Sequence, residues 1–202
     1  MNKTLTIVLI IVAVVLLIAA ITIGSFIGRY NRLRQMQVNI DQGWSEVQNQ
    51  LQRRFDLIPN LVETVKGYAS HEQETFQAVT EARAQVGGVI QIDENLLNDP
   101  AAFQRYQQAQ NNLGGALQRL LMVTENYPEL KANQNFIRLQ DELAGTENRI
   151  AVARKRFNDA VGEYNRNLVV FPNNIIAGFF NMTKAHFFEA PTESQQAPQV
   201  QF

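Results

Sequence analysis

The sequence predicts an all-α protein with an N-terminal transmembrane helix followed by an antiparallel up-and-down helical bundle of about four long helices. No charged residue occurs between Lys3 and Arg29. Beyond that segment, apolar residues recur in steps of three and four, which places them on one face of a helix. No stretch shows the sustained alternation that is typical of strands. Long amphipathic helices joined by short connections pack as bundles.

The apolar segment runs from Leu5 to Ile27 and is broken only by Thr6, Thr22, Gly24 and Ser25. A hydrocarbon core of about 30 Å needs roughly 20 apolar residues in a helix. A secretory signal has a shorter apolar region of about 7 to 15 residues, followed by a small-residue cleavage site. The length therefore favours a membrane anchor over a cleaved signal peptide, and it predicts a single-pass protein of the cell membrane.

The charges that flank the segment bear on its orientation. Arg29, Arg32 and Arg34 follow it, whereas Lys3 and the terminal amine precede it. The flank that is richer in Lys and Arg tends to stay in the cytoplasm. We therefore expect the domain on the cytoplasmic side rather than the extracytoplasmic side, although the charge difference is small.

The first bundle helix continues from the membrane segment. Pro59 predicts either a kink or a break with restart near Leu57, because proline lacks the backbone donor and its ring clashes with the preceding turn. Gly67 suits the end of this helix. Ser70–Gln73 has the form of a capping box for a second helix that carries Phe76, Val79 and Ala82 inward. The apolar stripe of the first helix comprises Met36, Ile40, Trp44, Val47, Leu51, Phe55, Ile58, Val62 and Val65.

A loop is predicted from Gly87 through Asn98. Asp99 then forms an N-cap with Pro100 at the first helical position. The third helix carries Phe103, Tyr106, Leu113, Leu117 and Leu120 and ends before Tyr127. Pro172 ends the last long helix, whose stripe comprises Phe136, Leu139, Leu143, Ile150, Ala153, Phe157, Val161, Tyr164, Leu168 and Phe171.

The apolar stretch Ile175–Phe188 follows that proline and is predicted to form a short helix. Two placements stay open: it caps the bundle, or it lies against the bilayer as an interfacial element. The predicted organisation is a short N-terminal tail over residues 1–4, a transmembrane helix over 5–27, a helical bundle with a Phe-rich end over 28–189, and a flexible polar tail over 190–202.

Four sequence motifs together resemble the LemA family of bacterial membrane proteins. They are the segments Gln52–Val62, Tyr68–Glu72, Tyr127–Asn133 and Thr146–Ala151, and the similarity covers nearly the whole chain. The resemblance implies an N-terminal membrane helix and an antiparallel helical bundle, and it implies no known catalytic chemistry.

The composition provides few side chains that could act in catalysis. The chain has no cysteine, and its two histidines, His71 and His186, are far apart in sequence. His71 lacks the second histidine of a zinc-protease helix, and the glycine pairs lack the Lys-Ser/Thr of a phosphate loop. We predict no catalytic residue, no cofactor and no metal site. A net charge of −1 also argues against binding to nucleic acid.

One polar cluster stands out beside the apolar stripes. It has two interpretations: solvated faces with weak ion pairs, or a buried polar network that fixes helix register or docks a partner. At the C-terminus, Val200 and Phe202 form a candidate ligand for a peptide-binding domain, with a tail that binds nothing as the alternative. The cluster comprises Arg53, Arg54, Asn60, Glu147, Asn148 and Arg149.

The leading functional hypothesis is a membrane-anchored, non-enzymatic interaction or scaffold protein. Its expected partners are the lipid bilayer and a membrane or envelope protein. Two alternatives are a regulatory or accessory subunit of a membrane protease or envelope-stress complex, and a membrane-linked sensor. Gly24 and Gly28 have the spacing of a small-xxx-small pair, which would support homo-oligomers, although the spacing is also compatible with coincidence.

Overall fold

The computed structural model describes residues 3–92, 96, 97 and 99–189. Most of these residues lie in helices and none lies in a strand, which confirms the predicted fold class. The helices are α1 (Lys3–Lys66), α2 (Gln73–Ile92), α3 (Pro100–Thr124), α4 (Pro128–Lys131), α5 (Gln134–Val169) and α6 (Asn173–Phe179). The four longest are the four that the sequence predicts.

Helix α1 joins the apolar segment to the bundle without interruption. Among the described residues it is the one helix long and apolar enough to cross a membrane, with a mean hydropathy of 3.3 in its most apolar window. No part of that window is buried within the protein, and an apolar surface of this size is stable only in a nonaqueous environment. These are the properties of a single-pass membrane anchor.

Of the two alternatives predicted near Leu57, a kink or a break with restart, the break is absent, because α1 continues through Pro59. A proline inside a helix costs about 3 kcal/mol. Ile58, Leu61 and Val65 are nevertheless all buried on either side of it, and full burial of one such side chain contributes about 1.5–3 kcal/mol. Packing of the apolar stripe therefore outweighs the cost of the proline. Helix α1 ends at Lys66, as Gly67 predicts.

The chain forms two compact units. The first contains the residues up to Gln42 and the segment Ala160–Lys184. Its buried apolar side chains come from three helices: Leu33, Met36 and Ile40 of α1, Val161, Tyr164 and Leu168 of α5, and Ile176 and Ala177 of α6. Within this unit Gln37 Nε2 donates a hydrogen bond to the Tyr164 hydroxyl at 2.8 Å.

The second unit contains Gly43–Asp159 and the segment that begins at Ala185. Helices α1 to α5 all contribute to its core. Gly43 lies where α1 approaches α5 closely, since a Cβ atom at this position would stand 3.2 Å from the Phe157 Cα. The largest buried side chains of this core include Ile58, Leu61, Leu113, Leu120, Leu130 and Phe136.

One end of this core is aromatic. The Phe188 ring stacks on Trp44 with 5.8 Å between ring centroids and also meets Phe103 and Phe157. The backbone of Phe188 is fixed by the Asn158 side chain, which accepts from its N–H at 2.9 Å and donates to its carbonyl at 3.0 Å. The extended segment after α6 is thereby attached to the bundle.

The Tyr127–Asn133 motif organises the connection between α3 and α5. The Asn133 side-chain oxygen caps α5 by accepting from the N–H groups of Asn135 and Phe136. The amide nitrogen of Asn133 donates to the Tyr68 hydroxyl at 2.8 Å. The Tyr127 hydroxyl donates to a Glu72 carboxylate oxygen at 3.2 Å. These hydrogen bonds therefore link the connection between α1 and α2 to the connection between α3 and α5.

Three local predictions need correction. The loop from Gly87 to Asn98 is wrong at its start, since α2 runs through the glycine pair to Ile92. Helix α2 begins at Gln73, two residues later than a capping box at Ser70 requires, and the Glu72 carbonyl accepts its first hydrogen bond from Phe76 N–H. Of the stretch Ile175–Phe188, only the part up to Phe179 is helical. Burial of Val86 holds α2 together next to its glycines, which cost about 1 kcal/mol each.

The predicted cap of α3 is present and testable. Asp99 accepts hydrogen bonds from the N–H groups of Ala101 and Ala102 at 2.8 and 3.2 Å. Both bonds share the acceptor Oδ1, so Asp99→Ala removes both of them and should lower the free energy of unfolding by about 1 kcal/mol. The measurement is guanidinium unfolding of the full chain in detergent micelles, followed by Trp44 fluorescence. Asp99→Asn keeps an acceptor oxygen and should lose much less, and equal losses in the two variants would contradict the capping role.

Candidate interaction site

An arginine occupies a core position of α1. Arg54 continues the buried stripe of Val47, Leu51 and Ile58, and only 4% of its side chain is exposed. A buried charge is tolerated only when it is paired and hydrogen-bonded. Arg54 Nη1 donates to Glu147 Oε1 of α5 at 3.2 Å, and Nη2 donates to the side-chain oxygen and the carbonyl of Gln110 in α3. The arginine therefore links three helices.

A second arginine stands close by on α5. Arg154 follows Glu147 by seven residues, which is two helical turns. Its guanidinium carbon lies 4.8 Å from the centroid of the Phe188 ring. Burial, and next the positive charge of Arg54, lower the pKa of Arg154. The Nε atoms of Arg54 and Arg154 are both buried without a hydrogen-bond partner in the described part of the chain.

Both arginines line an open cleft of about 580 Å³ between α1, α3 and α5. At neutral pH its charged side chains are two guanidinium groups and one carboxylate, so the cleft carries a local positive excess. Gly114 and Gly115 contribute no side chain to its wall. We call it the Arg54–Arg154 cleft, and its lining consists of Arg54, Gln110, Asn111, Gly114, Gly115, Leu117, Gln118, Leu121, Gln140, Leu143, Ala144, Glu147 and Arg154.

The lining determines what the cleft can do. Guanidinium and amide groups bind carboxylates and backbone groups through directed hydrogen bonds. These lining residues include no Ser, Thr, Cys, Lys or His, and the one carboxylate among them, Glu147, is paired with Arg54. The chemistry of the lining fits recognition of an anionic group.

A second, more open depression lies between α1 and α5. It has a volume of about 700 Å³ and includes an ion pair between Arg53 and Glu142 at 3.8 Å, with about half of each side chain exposed. Exposed pairs of this kind contribute at most about 1 kcal/mol. The other lining residues are Asn49, Gln50, Gln52, Asp56, Leu57, Asn60 and Arg149.

The structure divides the polar cluster that the sequence groups together. Arg54 and Glu147 meet in the Arg54–Arg154 cleft, whereas Arg53, Asn60 and Arg149 line the second depression. Asn148 is exposed and lines neither. The tail candidates Val200 and Phe202 fall outside the described residues.

The sequence pattern did not lead us to name Gln110 or Arg154 as site residues. A signal for Gln110 exists, because it stands between Tyr106 and Leu113 in the apolar stripe of α3, at a position that faces the core. The same spacing marks Arg154, which stands four residues after Ile150 and three before Phe157 in the apolar stripe of α5. Its neighbourhood depends on Phe188, which reaches it from a distant part of the chain.

The apolar N-terminal helix and the helical bundle define a class of membrane-anchored helical-bundle proteins. The chain belongs to the LemA family, since the model of that family matches residues 43–202. The resemblance drawn from the four motifs is confirmed.

Curated relatives agree with this assignment. The chain is 27% identical over 182 residues to magnetosome protein MamQ 2 of Paramagnetospirillum magneticum, covering 83% of this chain and 67% of the relative. It is 27% identical over 192 residues to magnetosome protein MamQ of Magnetospirillum gryphiswaldense, covering 88% and 70%. It is 25% identical over 174 residues to protein LemA of Metamycoplasma hominis, covering 84% and 75%. None of these names states an enzymatic activity.

Removal of the Glu147 carboxylate should lower the stability of the protein, because it leaves the buried Arg54 guanidinium without its opposite charge. Glu147→Ala leaves the guanidinium with only Gln110 as a partner and should lower the free energy of unfolding by about 1.5–3 kcal/mol. This is less than the roughly 3–5 kcal/mol typical of fully buried pairs, because 44% of the Glu147 side chain is exposed.

Glu142→Ala is the matched control, since it removes the same residue type from the same helix and also breaks a pair with an α1 arginine. Because that pair is exposed, the loss should stay below about 1 kcal/mol. Chemical unfolding of the full chain in micelles measures both variants. A similar loss of unfolding free energy in Glu142→Ala and Glu147→Ala would contradict the prediction, because it would show that burial of Arg54 does not make its ion pair the more stabilising one.

Proposed function

We propose that the protein is a non-enzymatic, membrane-anchored interaction protein that binds an acidic side chain of a partner membrane protein in the Arg54–Arg154 cleft. The observation that carries the proposal is the charge of this cleft. Arg54 is neutralised by Glu147 at 3.2 Å, whereas Arg154 has no carboxylate within salt-bridge distance among the described residues. A partner carboxylate would complete the pairing.

The membrane anchor keeps the cleft close to partner proteins in the same membrane. Arg54 stands on α1, the same continuous helix that carries the membrane segment. A partner confined to the same membrane meets the cleft at a high effective concentration, so modest contacts suffice for binding. The family membership and the magnetosome proteins among the relatives support a membrane-associated role.

A membrane-linked sensor is a second candidate function, favoured by one observation. A ligand in the Arg54–Arg154 cleft would touch α1 directly through Arg54. Because α1 is unbroken up to Lys66, a change in its packing would reach the membrane segment through covalent structure and helical hydrogen bonds.

Site-specific photocrosslinking tests the docking site. A benzoylphenylalanine at Gln118, an exposed residue that lines the cleft, should form an adduct with a membrane protein in intact membranes. Arg154→Gln removes the positive charge and should reduce this adduct at least several-fold, since a carboxylate–arginine contact depends on that charge. The readout is the adduct yield and its mass-spectrometric identity.

The control is benzoylphenylalanine at Arg119, which is exposed beside Gln118 and is not among the cleft residues. Equal adduct yields at the two positions, or a Gln118 adduct that is unchanged by Arg154→Gln, would overturn the proposal. Arg156→Gln removes a charge from an exposed position on the same helix and should leave the adduct intact.

We also propose that the bundle faces the cytoplasm, on the basis of Arg29, Arg32 and Arg34 after the membrane segment. The chain contains no cysteine, so Val38→Cys introduces a single thiol at an exposed position of α1. A membrane-impermeant maleimide should label this thiol only after the membrane is permeabilised. Labelling in intact cells would place the domain on the outer side.

A further inference from the structure

The end of α5 and the outer face of α6 expose an unusual amount of apolar surface. Phe179 is 76% exposed and Phe171 is 75% exposed, and more than half of each of three other side chains is exposed. The two phenylalanines are more exposed than any large apolar residue of the membrane segment, and the other three residues fall within the range of that segment. Apolar patches of this kind on a protein surface mark interaction sites. We call this surface the juxtamembrane patch, and it comprises Val169, Val170, Phe171, Ile175 and Phe179.

Helix α6 is apolar on two opposite faces. Ile176 and Ala177 are buried in the first unit, whereas Ile175 and Phe179, one turn apart, are exposed. A surface helix in water carries polar residues on its outer face. The outer face of α6 therefore suits a nonaqueous environment.

The position of α6 along α1 identifies that environment. The Phe180 ring lies 6.2 Å from Phe26 and 4.4 Å from Tyr30. Arg29 Nη1 donates to the Asn173 side-chain oxygen at 3.3 Å. These α1 residues flank Ile27, the last apolar residue of the predicted span, so α6 is held at the level where α1 leaves the hydrocarbon core.

Charged side chains complete the arrangement. Arg29, Arg32 and Arg34 on α1 and Lys184 after α6 are exposed in the same unit. Aromatic side chains concentrate at the membrane–water interface, and exposed Lys and Arg at this depth attract lipid phosphates. The unit thus presents apolar and aromatic groups together with a set of cations.

We propose that the juxtamembrane patch is a second membrane contact, inserted into the headgroup and acyl boundary of the bilayer that α1 crosses. The occupant of the patch is lipid, because the patch adjoins the membrane segment. The proposal depends on membrane anchoring by α1 and is independent of partner binding in the Arg54–Arg154 cleft. It adds a specific lipid-binding surface to what membership of the family implies.

Depth-dependent fluorescence quenching tests it with the full chain reconstituted in phosphatidylcholine and phosphatidylglycerol vesicles. Phe179→Cys and, separately, Phe171→Cys each place one thiol in the patch for labelling with bimane. We expect several-fold stronger quenching of these labels by lipids with a nitroxide near the headgroup than of the label at Val38→Cys. Val38 is a matched control, since it is 44% exposed on α1 and stands about 16 Å beyond Ile27 at helical rise.

Equal lipid quenching at Phe179, Phe171 and Val38 would overturn the proposal. A repeat at tenfold lower protein-to-lipid ratio separates lipid from a second copy of the chain. Quenching that persists on dilution supports insertion, whereas labels that are shielded from aqueous iodide only at the higher protein density would show a protein contact and contradict it. Circular dichroism of each labelled variant verifies that the helix content is unchanged.

Discussion

A single constraint underlies the structure: α1 must satisfy two different surroundings along one continuous helix. From Ile7 to Ile27 its side chains are almost all apolar and exposed. From Leu33 onward only one stripe is apolar and buried. A helix meets both demands because its backbone hydrogen bonds are internal in either environment. The core of the bundle is built on a helix that is also the anchor.

Polar groups link other helices to this one. Arg54 occupies a position where an apolar side chain would fill the core, and its hydrogen bonds with Gln110 and Glu147 connect α1 to α3 and α5. Replacing buried ion pairs with apolar residues often leaves stability unchanged or raises it. Stability alone therefore does not explain an arginine at this core position.

The helices were predictable from sequence, because the stripes on α1, α3 and α5 follow helical periodicity over many turns. Local chemistry also identified Asp99 as a cap. Prediction failed where distant contacts decide the outcome. Pro59 and the glycines of α2 weaken their helices locally, and neighbours far away in sequence hold them in place.

The candidate site was predictable only in part. Arg54 and Glu147 stood out as polar residues beside apolar stripes, and they do meet. Consecutive residues of a helix do not share a face, because the helix turns by about 100° per residue. Arg53 and Arg54 therefore line different cavities, and sequence proximity alone does not place them in one site.

The continuity of α1 is the central claim, and hydrogen–deuterium exchange of the full chain in lipid nanodiscs tests it most directly. The account predicts one uninterrupted run of protected amides from Arg34 to Val65, without a rapidly exchanging gap beside Pro59. Several consecutive amides near Leu57 that exchange at the rate of an unfolded chain would show a break in the helix and contradict the account.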